Sequence, residues 1–83
     1  MFNIGDILKA RMDVAETQYG GFKETNRPVY NKMMELAFTK RFEVVGKSPV
    51  EYQILHVGEN VQNAHPLNEV HENMVLANDE EES

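Results

Sequence analysis

The chain has 83 residues, 41% of them hydrophobic, with no Cys, no Trp and a formal net charge of −6. That length supports one domain with a single modest core, burying roughly 60% of the surface of the unfolded chain. The missing Cys excludes disulfides, thiolate metal sites and thiol nucleophiles. No stretch approaches the roughly 20 apolar residues of a membrane helix, and Met1 to Asp6 lacks the basic and apolar runs of a signal peptide. A cytoplasmic protein working away from membranes is therefore expected.

Charge is unevenly placed. Up to Lys47 there are eight basic and six acidic residues; beyond it there are eight acidic residues and no Lys or Arg. A body built from such halves carries separated positive and negative surfaces unless folding interleaves them, and that field steers partners.

Phe2 to Asp13 alternates as a strand does. After the Gly5-Asp6 turn pair, Leu8, Ala10 and Met12 share one face and Ile7, Lys9 and Arg11 the other. Val14 to Arg27 is polar and reads as a loop around Gly20-Gly21, with Tyr19 and Phe22 flanking the pair. In residues 28–37, Pro28 suits a first helical position with Asn26 or Arg27 just outside it. Val29, Met33 and Leu36 recur at i, i+4, i+7, and Tyr30 with Met34 at i, i+4. So short a helix is marginal without tertiary support, leaving either a short helix or a looser loop with one helical turn.

Phe38 to Val45 alternates again as a strand, followed by a turn over Gly46-Lys47-Ser48-Pro49. Glu51 to Val57 is a further strand, with Tyr52, Ile54 and His56 on one face, and Gly58-Glu59-Asn60 is the next turn. Pro66 limits Val61 to Val70 to an edge strand or an irregular segment. Val70 to Asn73 reads as one tight turn leading into Met74-Val75-Leu76-Ala77. Residues 1–77 form the expected domain, and 78–83 an acidic tail expected to be disordered.

Phe2-Asn3-Ile4-Gly5-Asp6-Ile7-Leu8-Lys9-Ala10 resembles the first strand of the small SH3-like β-barrels, including the KOW-type barrels and many small phage-encoded proteins. Arg41-Phe42-Glu43-Val44-Val45-Gly46 is similar to their strand-then-turn second element, and Val70 to Leu76 to their one-turn 3₁₀ helix and last strand. The resemblance implies a mostly β fold: a small SH3-like barrel with one short helix in a long first loop. The Trp and Ala-Leu-Tyr-Asp-Tyr motifs with which signalling SH3 domains grip Pro-rich peptides are missing, so the resemblance brings a fold and no ligand.

Catalytic chemistry has little to stand on. His56, His65 and His71 lie near Glu59, Glu69 and Glu72 but lack metal-ligand spacing. Ser48 and Ser83 have no nucleophile elbow, and Gly20-Gly21 has no Gly-Lys-Ser/Thr after it. No enzyme activity, metal or cofactor is expected.

Protein binding fits best. Tyr19, Phe22, Tyr30, Met33 and Met34 offer the large, adaptable apolar contact enriched at recognition surfaces. Glu51, Glu59, Glu69 and Glu72, if they share a face, offer a second surface that mimics phosphate charge and occupies a basic groove. The expected function is that of a non-enzymatic acidic inhibitor binding a larger protein, such as a host nucleic-acid-binding enzyme, as phage-encoded host-takeover or anti-defence factors do in the host cytoplasm. One alternative is a nucleic-acid- or transcription-complex-associated barrel using Lys9, Arg11, Lys40 and Arg41; another is a virion structural or assembly component.

Overall fold

Five strands pair into one antiparallel sheet in a computed structural model that describes residues 1–77; the expected acidic tail lies outside the described residues. In chain order the elements are β1 (Ile7–Ala10), α1 (Met12–Tyr19), α2 (Phe22–Thr25), α3 (Arg27–Thr39), β2 (Phe42–Lys47), β3 (Glu51–His56), β4 (Val61–Pro66), α4 (Leu67–Asn73) and β5 (Met74–Leu76). The sheet order is β4-β3-β2-β1-β5, so the last strand returns beside the first. Leu8 pairs with Phe42 on one side and with Leu76 on the other. Among the described residues the two edge strands, β4 and β5, are not paired with each other.

The core lies on one face of the sheet. Leu8, Val44, Tyr52 and Ile54 are fully buried, and Val70 reaches them from α4. Tyr52 and Ile54 are two apart on β3, as the period of a strand requires. Phe2, Phe42, Leu67, Met74 and Leu76 pack around them half-buried. Burial of each large aliphatic side chain contributes about 1.5–3 kcal/mol.

Turn chemistry fixes the meander. The Ser48 hydroxyl accepts from the backbone N–H groups of Val50 and Glu51 at 3.3 and 3.1 Å, closing the β2–β3 connection. The β3–β4 turn over Val57 to Asn60 places Gly58 at φ 86°, where a side chain is strained. The turn expected at Gly46-Lys47 sits later, because β2 runs through Lys47 with a register shift between Val44 and Gly46.

The stretch between β1 and β2 departs most from expectation. In place of a loop holding one short helix it contains three helices, so helical residues outnumber those in strands. Gly20 and Gly21 are right-handed, at φ −57° and −62°, and carry the chain from α1 into α2 in place of a loop. Gly20 is required there, since a Cβ would lie 2.6 Å from the carbonyl oxygen of Glu16. Asn26 caps α3, its side chain accepting from the Val29 N–H at 3.4 Å, with Pro28 in the first turn. The helix continues through Phe38 and Thr39, which were expected in the following strand. The Arg41 guanidinium bonds the carbonyls of Phe38 and Lys40 at its end.

Candidate protein-binding groove

Two helical stripes face each other across a groove. From α1 come Val14, Ala15, Gln18 and Tyr19; from α3 come Met33, Leu36 and Ala37, followed by Lys40. Both sets follow the three-to-four-residue spacing of a helix face. Ala10 and Phe42 of the sheet, with Glu69, Asn73 and Met74 from the α4–β5 segment and Arg11, complete the lining of a cavity of about 460 Å³. The apolar part belongs mostly to small or flexible side chains, which suits adaptable contact.

The cations of the groove are already engaged. Arg11 grips Asp13 through two nitrogens, at 3.2 and 2.7 Å, and donates to the Glu72 carbonyl at 3.0 Å. That guanidinium holds the Asp13 carboxyl below its ordinary 3.8. Lys40 lies 3.6 Å from Glu59 and 5.5 Å from the centre of the Phe42 ring.

The expected protein-binding residues divide. Tyr19 and Met33 line the groove, while Met34 is half-buried and not part of its lining. Phe22 is 44% exposed on α2. Tyr30 is tied down: its hydroxyl donates to Glu16, which raises its pKa above the ordinary 10.0. Lys23 and Arg27 stand over its ring at 5.8 and 5.7 Å.

The four expected acidic residues do not form one patch. Glu51 sits opposite Pro66 at the open end of the β3–β4 hairpin, and Glu59 lies in the turn at its far end. Glu69 and Glu72 are on α4, with Glu69 3.8 Å from His65. The cause is the hairpin itself, whose six residue pairs separate its two ends.

The expected nucleic-acid set is not a surface cluster. Lys9, expected among the nucleic-acid contacts, is 4% exposed, with its ammonium 5.3 Å from the centre of the Phe38 ring. Contact between α3 and β1 covers the second face of that strand. Arg41 caps α3.

Sequence reasoning missed one cluster, which joins the first residues to α4. The Tyr52 hydroxyl accepts from the Phe2 N–H at 3.1 Å and lies 2.9 Å from His71 Nε2. The Phe2 and His71 rings stack with centroids 5.1 Å apart and planes at 8°. Nothing in the local pattern signals it, because Phe2 and Tyr52 are 50 residues apart. His56 packs edge-on against Phe42 with its Nε2 buried and unpartnered. Burial pushes its pKa below 6.5, Lys40 pushes the same way and Glu59 opposes them.

Among the described residues no group of three or more His, Cys, Asp or Glu is placed to hold a metal ion, and no helix is long and apolar enough to cross a membrane. Compared with protein-family models, curated proteins and solved structures, the chain has no significant match.

Proposed function

We propose that this protein acts stoichiometrically, seating a segment of a larger protein in the groove between α1 and α3 and modulating that protein without catalysis. The observation that carries this reading is the groove itself: about 460 Å³, with facing helical stripes and with Met33, Leu36, Tyr19 and Met74 in its lining. Leu36 is 49% exposed, a large apolar group with no partner adequate to bury it. The engaged state of Arg11, Lys40 and Arg41 weighs against phosphate binding, which needs several available cations on one face. An SH3-like scaffold is part of the same reading. It is supported by the order β4-β3-β2-β1-β5 and by the short helix between β4 and β5. The helical insert is then an elaboration that builds both facing walls of the groove. A phage-like host-takeover or anti-defence role is the setting we favour for such an inhibitor.

The test is capture from lysate of the source cells by the tagged full chain, repeated with Met33→Lys and Leu36→Lys combined and with Phe22→Ala. A protein retained by wild type and Phe22→Ala but lost by the groove variant, with unchanged far-UV dichroism, is the expected outcome. Equal capture by the groove variant, with equal affinity by calorimetry, overturns the reading.

A further inference from the structure

β4 is an edge of the sheet, and among the described residues no strand faces its outer side. In an antiparallel ladder alternate residues turn their N–H and C=O groups away from the paired neighbour, so this edge presents a row of backbone donors and acceptors to solvent. β4 pairs with β3 over six consecutive residues with no break in register. Edges are commonly kept from further pairing by a Lys, a bulge or extreme shortness. β4, reading Val61-Gln62-Asn63-Ala64-His65-Pro66, has none of these, and its Pro stands only at the last position. The opposite edge, β5, is only three residues long.

Charge selects the occupant. Glu59 precedes β4 and Glu51 sits opposite its last residue, one carboxylate at each end of the strand, and no Lys or Arg follows Lys47 in the sequence. The single Lys40 contact at Glu59 leaves the surround acidic. A second copy of the chain would bring the same carboxylates against these, and like charges across an interface oppose association. We infer that the β4 edge accepts an extended segment of another protein as an added strand, one carrying Lys or Arg at its ends. Main-chain hydrogen bonds supply the affinity of such a mode, and the flanking charges its selectivity. Val57 and Val61, 46% and 42% exposed, give the incoming strand an apolar contact beside the turn. β4 contributes nothing to the α1–α3 groove, so this site stands independently of it.

The experiment follows backbone amides of the full chain by NMR during titration with an octapeptide of alternating Thr and Val ending in Lys on both sides. Shifts and slowed hydrogen exchange confined to residues 61–65 are expected, with binding about tenfold weaker for the Glu-ended analogue. Gln62→Lys combined with Ala64→Lys, both on exposed positions, should weaken the Lys-ended peptide similarly while the thermal melt is retained. Silence at 61–65 with both peptides overturns the inference, as does equal binding of the two peptides. Indifference to the double variant, or responses confined to Val14 and Met33, overturns it too. So does a dimer by sedimentation whose β4 amides are already protected without peptide.

Discussion

His56 shows how one side chain ties stability to pH. Its Nε2 is buried without a partner, so protonation there creates a charged donor with nothing to receive it. The folded pKa lies below the ordinary 6.5, so the unfolded chain binds the extra proton first. The stability contributed by neutral His56 is complete above about 6.5 and is lost as pH falls through the lower folded value. Asp13, also depressed, acts in the same direction but only below 3.8, so the two windows separate. Urea midpoints should fall between about pH 7 and pH 5, and His56→Gln should flatten part of that fall. An equal slope in the variant would assign the fall to other groups. Tyr52 gives a second test at this scale. Tyr52→Phe removes the acceptor of the Phe2 N–H and the neighbour of His71, and should cost about 1–3 kcal/mol in urea denaturation. Faster exchange of the Phe2 amide should accompany the loss.

At the scale of elements, α3 depends on its start. Asn26→Ala should lower stability by about 1 kcal/mol and Asn26→Asp should restore most of it, measured by chemical denaturation. This helix was partly legible: Asn26, Pro28 and the Val29-Met33-Leu36 spacing are local signals, but over residues 28–37 they left a loop with one helical turn open, and α3 runs on to Thr39. β3 was legible from the alternation around Tyr52 and Ile54. Pro66 left Val61 to Val70 as an edge strand or an irregular segment; its first six residues are the edge strand β4 and the rest opens α4. The helices at 12–19 and 22–25 were not legible. Val14, Ala15 and Tyr19 lie among Asp13, Glu16, Thr17 and Gln18, a pattern too weak to mark a face until α3 supplies the opposite wall. The glycine pair reads as a break because glycine admits left-handed backbone, yet here both residues are right-handed. Of the groove lining, Tyr19 and Met33 were therefore named in advance as contact residues, but not the groove that brings them together. The burial of Lys9 was not legible either, since alternation along β1 cannot tell that a helix covers its second face.

Across the whole molecule, folding interleaves the two halves of the chain. β1 and β2, from the mixed-charge half, lie between β3–β4 on one side and β5 on the other, all from the acidic half. Lys40 meets Glu59 across this boundary. The asymmetry along the sequence thus does not become a simple division into two faces. Generic duplex or single-stranded nucleic acid at near-physiological salt should give no anisotropy change with this protein. Saturable binding abolished by Lys40→Glu with Arg41→Glu would replace the protein-binding reading by a nucleic-acid one.

The pairing of β1 with β5 also bears on how the chain is made. β1 leaves the ribosome well before one of its two neighbours, since Leu8 pairs with Leu76 far along the chain. At roughly 5–20 residues per second, translation leaves Leu8 waiting seconds for Leu76. In that interval the helical insert and the meander can assemble, but the nascent chain holds a half-satisfied central strand, the period in which a chaperone has most to shield.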